Sequence, residues 1–295
     1  MFLSEIKGAV SATEAGRANG AHDFSIVAEE DDFIVVEKPP FLLVHPTKPT
    51  GARTLWGELR QLLAFEIANG GQVSIVNRLD RETSGLVLVA KNAAAARRFG
   101  LLMQEQRIAK EYLAIVWGWP EWIHKTVDAP LTRQGTQGPS PIWLKQAIHP
   151  AGAPARTQFA VERKFSRGVA GDRFSIVRAL PQTGRTHQIR VHLASLGHPI
   201  VGDKIYGPDE NLYLQFIETG WTQELARHLL LPRHALHSAV LEIPGGEKWT
   251  SSLPADLRTF ESDGRKTART PLPCHPERSR RISDPNGALG IGTTD

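Results

Sequence analysis

The chain has 295 residues, 41% hydrophobic and 22% charged, with a net charge of +4 and a pI near 9.3. That is enough apolar material for one large or two modest packed domains, and it excludes a largely disordered chain. The excess charge is local: six of the 35 basic and three of the 31 acidic residues lie in 264–295, which leaves 29 and 28 in the rest. Net charge therefore does not by itself mark the body as a polyanion binder, because such a surface needs local clustering. The single cysteine, Cys274, permits no intrachain disulfide and fits a reducing compartment. No apolar run approaches the ~20 residues that span a bilayer. Glu5 and Lys7 interrupt what would be the apolar part of a signal peptide. The expectation is a soluble cytoplasmic protein with no membrane partner.

Residues 1–22 are rich in Ala, Gly and Ser without a sustained period and read as a flexible lead-in. Two β-rich runs follow, 24–28 and 33–37, the second ended by Pro39-Pro40. Leu55, Leu59, Leu62, Leu63 and Ile67 predict a helix over 54–68, closed by Gly70-Gly71. A short run at 73–76 and a strand at 86–90 come next. Asn92 is placed to cap a helix over 93–106. Strands are expected at 112–117, 157–163, 173–180 and 234–243. Helices are expected over 186–196, ended by Gly197, and over 253–260. Strands and helices mix without strict alternation, which favours an α+β domain with a largely antiparallel sheet. The domain is expected over 23–263. Residues 264–295, dominated by Pro, Arg, Ser and Gly, read as a disordered basic tail, either a passive extension or an arm that raises affinity for a polyanion.

Three stretches carry chemistry. In Val76-Asn77-Arg78-Leu79-Asp80-Arg81-Glu82-Thr83-Ser84-Gly85-Leu86 an Asp stands between two arginines, just before a strand. Neighbouring guanidinium groups favour an ionised carboxylate, and such a group in a cleft can be a nucleophile. The same pattern also occurs in surface ion pairs. In Gln182-Thr183-Gly184-Arg185-Thr186-His187-Gln188-Ile189-Arg190-Val191-His192-Leu193, helical spacing puts His187 and Arg190 on one face. Arg190 suits a carboxylate or phosphate; a solvated face is the alternative. His187 and His192 lack a second ligand cluster, so no metal site is expected. In Lys110-Glu111-Tyr112-Leu113-Ala114-Ile115-Val116-Trp117-Gly118, Tyr112 is either a packing residue or a stacking surface for an extruded base.

Taken together and in order, the three stretches resemble the RluA-type RNA pseudouridine synthase family, over about residues 24–260. The family pattern His-Arg-Leu-Asp-x-x-Thr-Ser-Gly-Leu matches 77–86 except at Asn77, where the family usually has His. Lys-x-Tyr-x-Ala-x-Val-x-Gly matches 110–118, and Gly-Arg-Thr-His-Gln-Ile-Arg-Val-His-Leu matches 184–193, continued by Gly197-His198-Pro199-Ile200-Val201-Gly202-Asp203. The resemblance implies a single α+β catalytic domain. It would have a mixed, largely antiparallel central sheet, helices on its flanks and a cleft across the sheet. It also implies conversion of specific uridines in structured rRNA or tRNA to pseudouridine, with Asp80 as nucleophile. Arg78 would enter the space left by the flipped nucleotide. Tyr112 would stack on the base, Ile189 would line its pocket, and Arg190 would pair with Asp80. The reaction adds and removes no atoms, so no cofactor is expected; RNA is the expected partner, and a monomer the default. Many relatives carry an N-terminal S4 RNA-binding domain, for which 1–22 is too short. Two other readings stay open: a non-catalytic RNA-binding module, and a hydrolase pairing Asp80 with His187 or His192.

Overall fold

A computed structural model describes residues 22–46, 52–168 and 171–263. Apart from His22, the segments 1–22 and 264–295 lie outside the described residues. Strands β1 (Ser25–Glu29), β2 (Phe33–Lys38), β3 (Ser74–Ile75), β4 (Ser84–Ala90), β5 (Ala109–Trp117) and β6 (His124–Asp128) precede a small pair, β7 (Leu131–Arg133) and β8 (Gln146–Ile148). After these come β9 (Arg156–Arg167), β10 (Asp172–Pro181), β11 (Leu236–Glu242) and β12 (Lys248–Thr250). The main sheet runs β1-β2-β4-β11-β5-β10-β9-β6, with β12 beside β11 and β3 beside β4. Its strand pairs are antiparallel except β4–β11, which is parallel. The expected mixed, largely antiparallel α+β fold is thus observed.

β4 reads as an unbroken apolar run because it is buried on both faces. Ile34, Val36, Val87 and Val89 join the larger core, while Phe33, Val35, Leu86 and Leu88 face the other way into a second cluster. This two-residue alternation makes β2 and β4 the wall between two hydrophobic layers. Helix α1 (Leu55–Leu62) supplies Leu55 and Leu59 to the first layer, and α3 (Ala93–Gln104) supplies Ala95 and Phe99 to the second. The expected cap is present, with Asn92 Oδ1 accepting from Ala95 N at 2.8 Å. At Gly85 (φ +110°) a Cβ would lie 2.2 Å from Ser238 O, so only glycine lets β4 meet β11 directly after the Asp80 loop.

The structure departs from expectation in several places. The helix expected over 54–68 breaks at Leu63 into α1 and α2 (Ala64–Ala68). The 186–196 helix begins later, as α4 (Gln188–Ser195), because His187 takes a left-handed conformation (φ 56°) that an α-helix cannot continue through. Helices α5 (Asn211–Thr219) and α6 (Gln223–Leu229) were not anticipated, nor were β6, β7, β8 and β12. The final helix is α7 (Ala255–Ser262). Among the described residues, no helix is long and apolar enough to cross a membrane.

Candidate active site

Asp80 sits in the loop joining β3 to β4, and buried polar groups hold most of that loop. Asn77, only 4% exposed, uses its amide as a piece of strand: Nδ2 donates to Leu86 O at 3.1 Å and Oδ1 accepts from Leu88 N at 2.7 Å. Thr83 N donates to Asp80 O, closing a tight turn. The buried Lys38 ammonium donates to the carbonyls of Pro39, Leu42 and Arg81. Burial pulls its pKa down to about 7 against the attraction of Asp80. Arg233, fully buried, reaches Glu82 O while Asp256 grips its other edge at 2.7 and 3.1 Å. The Glu82 carboxylate accepts from Lys204 Nζ at 2.7 Å and His234 N at 3.1 Å. Burial would raise its pKa, but His234 and Lys204 outweigh that and hold it near 2. His234 Nε2 and Thr83 Oγ1 are 2.7 Å apart.

The Asp80 side chain itself remains 30% exposed. Arg190 Nη1 donates to Asp80 Oδ2 at 2.9 Å, as the motif resemblance implies. Arg190 is in turn locked by Asp203, which accepts from Nε at 2.6 Å and Nη2 at 2.9 Å in a two-pronged pair. Asp203 Oδ1 also accepts from the backbone N–H groups of Ile205 and Tyr206. Burial opposes ionisation of Asp80, yet His187 and Arg190 together hold its pKa below the usual carboxylate range. His187 contributes only in acid, since burial and Arg190 hold its own pKa near 4. The flanking arginines play a smaller part than the sequence suggests. Arg78 is exposed on the cleft wall and Arg81 Nε reaches Phe41 O, so the guanidinium on Asp80 comes from Arg190, 110 residues away.

His187 and Arg190 do not share a helical face, because His187 lies before α4. Both nonetheless converge on Asp80, with His187 Nε2 3.9 Å from Oδ2 and its Nδ1 2.9 Å from Tyr206 Oη. Nor is α4 a solvated helix. Gln188 to Leu193 are all buried, and the polar ones find partners inside: Gln188 with Thr183, Arg185 N, Arg156 O and Thr157, His192 with Thr157 and Ala129 O. His192 is therefore tied into the fold and does not face the cleft.

The cleft beside Asp80 encloses about 530 Å³, within the range of ligand sites. Asp80, Arg78, Tyr112, Ile189 and Arg190 all line it, so the five residues singled out by sequence come together. Burial, with the Asp80 charge nearby and against a hydrogen bond with Ser238, pushes the Tyr112 phenol up to about 12. Lys110 also lines the cleft and has no carboxylate partner among the described residues. Sequence reasoning missed the outer ring of Lys38, Glu82, Asp203, Lys204, Arg233 and His234. Asp203 closes the Gly-His-Pro-Ile-Val-Gly-Asp continuation of the third motif, and that position was the available signal.

Comparisons with known proteins show the family. The RNA pseudouridylate synthase model matches residues 32–195. A ribosomal large subunit pseudouridine synthase D from Haemophilus ducreyi is 33% identical over 243 residues, 79% of this chain and 68% of that protein. An uncharacterized RNA pseudouridine synthase from Chloroflexus aurantiacus is 38% identical over 230 residues, 75% of this chain and 63% of that protein. The chain thus spans about two thirds of the length of these relatives. Among solved structures, human RNA pseudouridylate synthase domain containing 1 is 28% identical, with a TM-score of 0.60 over 83% of this chain and 95% of that one. Human RNA pseudouridylate synthase domain containing 4 shares the fold, with a TM-score of 0.64 at 23% identity over 82% of this chain and 93% of that one. The chain belongs to the RNA pseudouridylate synthase family, in agreement with the RluA-type resemblance of its three motifs.

Proposed function

We propose that this protein converts uridine to pseudouridine in large-subunit ribosomal RNA, with Asp80 as the nucleophile. The observation that carries the reading is the half-open Asp80 carboxylate, fixed by Arg190 at 2.9 Å in a cleft lined by Tyr112 and Ile189. The names of bacterial relatives, ribosomal large subunit pseudouridine synthases, support this RNA class. A compact tRNA stem-loop is the second candidate.

The reaction breaks the N1–C1′ bond, turns the uracil, joins C5 to C1′ and moves the C5 proton off carbon while N1 is protonated. Two routes are open to the carboxylate: attack on C1′ of the ribose or on C6 of the uracil. Both need it ionised at neutral pH, which Arg190 favours. The target uridine has to leave the stack, at a cost of a few kcal/mol when paired. Arg78, exposed on the cleft wall, would fill the gap and offset part of that cost. Ile189 forms the apolar side of the base pocket. A phenol held near 12 stays protonated at neutral pH, so Tyr112 serves as stacking surface and hydrogen-bond donor in the resting enzyme. The domain that performs this spans 23–263.

Because C5 must lose its hydrogen, release of tritium from RNA labelled at uridine C5 reads the reaction directly. Asp80→Ala and Asp80→Asn are expected to release none above background while RNA binding survives. Release within tenfold of wild type in either variant removes Asp80 from the chemistry. RNA binding with no release by any form of the protein favours a non-catalytic RNA-binding module.

A further inference from the structure

Beside the cleft, the chain makes an excursion from the main sheet that the proposed chemistry does not use. Residues 129–155 form the β7–β8 pair, in register Leu131↔Ile148, Thr132↔Ala147, Arg133↔Gln146, and the loop between them. The excursion is tied to the candidate active site from below. Leu131, Ile142 and Ala155 pack with Val191, Ile205 and Tyr206, and Gln146 N donates to Tyr206 Oη, the same hydroxyl that meets His187. Arg185, on the cleft wall, donates to Pro154 O.

Its outer side is unusual in three independent ways. First, Trp143 is 68% exposed and Leu144 51%, although both follow Ile142, which is 1% exposed and anchors the loop. Second, the Arg133 guanidinium carbon lies over the Trp143 ring, 3.7 Å from its centroid. Its Nε is buried with no hydrogen-bond partner, and among the described residues no carboxylate pairs with it. Third, the sequence carries no Asp or Glu between Asp128 and Glu162, although 31 acidic residues are spread over the 295. Arg133 and His149 supply basic groups to the excursion itself, while the Lys145 ammonium is paired with Glu210 from outside it.

An indole with one face presented to solvent and a cation stacked on it is a surface for a flat, electron-rich partner joined to an anion. A second protein surface would bring carboxylates of its own, but stacking as well as charge is on offer here, and nucleobases with phosphates satisfy both. We infer that Arg133 and Trp143 form a stacking platform for an unpaired RNA base flanking the target uridine, with Arg133 meeting the adjoining phosphate. This rests on the RNA-directed reading of the cleft. It adds a second contact point outside it, on the side of α4 and Tyr206. The platform holds the strand while the target nucleotide enters beside Asp80.

The test uses the full chain and a fluorescently labelled twelve-residue oligouridine, with affinity read by anisotropy across a salt series. Trp143→Ala is expected to weaken binding about tenfold and Trp143→Phe by less than about threefold, since a phenyl ring keeps a stacking face. Arg133→Ala is expected to weaken binding and to flatten the slope of log K against log salt by about 0.7, the share of one single-strand phosphate contact. Unchanged thermal melting in these variants shows that the excursion still folds. Binding by both Ala variants within twofold of wild type overturns the platform. So does a drop from dimer to monomer in sedimentation of Trp143→Ala with oligouridine binding unchanged, which would make the face a self-association surface. The outcome is separable from that of the proposed chemistry. Asp80-dependent tritium release with normal oligouridine binding by Trp143→Ala sinks the platform alone. Absence of tritium release with weakened binding by Trp143→Ala sinks the chemistry alone.

Discussion

The loop that carries Asp80 and the excursion that carries Trp143 are built in opposite ways. From Asn77 to Thr83 almost every polar group is held: Asn77 by two backbone groups of β4, Arg81 O by Lys38, Glu82 by Lys204 and His234, Thr83 by His234. From Gln134 to Leu144 the chain is mostly exposed, anchored chiefly through Ile142. A reacting carboxylate needs its position fixed to a fraction of an ångström, and buried hydrogen-bonded charges supply that at a cost in desolvation. A surface that receives variable RNA needs exposed rings and cations more than rigidity.

The sharpest way to break this contrast is at Asp203. Asp203→Asn leaves the buried Arg190 without its bidentate partner, and breaking a buried pair costs about 3–5 kcal/mol. Chemical denaturation should show a loss of that size, with tritium release reduced by at least about a hundredfold because Arg190 no longer orients Asp80. Near-normal activity would mean that the Arg190 geometry is not what the reaction uses.

A smaller effect is expected at Glu82, with a distinctive pH signature. Its ordinary pKa of 4.5 falls to about 2 in the fold, so between those values the unfolded chain binds a proton that the folded chain does not. Stability from Glu82 is therefore complete above pH 4.5 and is lost as pH falls towards 2. Glu82→Gln should be about 3 kcal/mol less stable than wild type at pH 7. The two should converge near pH 2. A gap that is the same at pH 7 and pH 3 would show that Glu82 is not held as a buried carboxylate.

At Asn77, truncation to Ala orphans Leu86 O and Leu88 N, at a cost of about 2 kcal/mol. A neutral imidazole also offers one donor and one acceptor. Asn77→His, the residue the family pattern carries, should thus stay within about 1 kcal/mol of wild type in a denaturation curve. Equal losses for both would deny the clamp. On the excursion, Gln137→Ala should change stability by less than about 0.5 kcal/mol, as expected for an exposed site. A loss above 1 kcal/mol there would erase the contrast between the two regions.

The clamped region was the more legible in sequence, but only in part. β2 and β4 announce themselves through β-rich apolar runs, α3 through Asn92, and the five cleft residues through three ordered motifs. The pairing of Arg190 with Asp203 and of Lys38 with Arg81 O was not legible, because sequence spacing carries no information about which buried charges meet across a fold. The left-handed His187 was hidden by a stretch that reads as continuous helix. Helix α6 carries signals in its sequence: Thr222 caps Leu225 N, and Leu225 and Leu229 sit four apart on a buried face. β6 to β8 had almost none, being short and with few buried side chains.

Attack by Asp80 on uridine in RNA is the step on which the proposed chemistry depends. Its most direct test is tritium release from an in vitro large-subunit rRNA transcript labelled at uridine C5, comparing wild type with Asp80→Asn at matched RNA occupancy. Wild type is expected to give stoichiometric release at one or a few positions, and the variant none. Release by Asp80→Asn within tenfold of wild type, with the RNA bound equally by both, would contradict it.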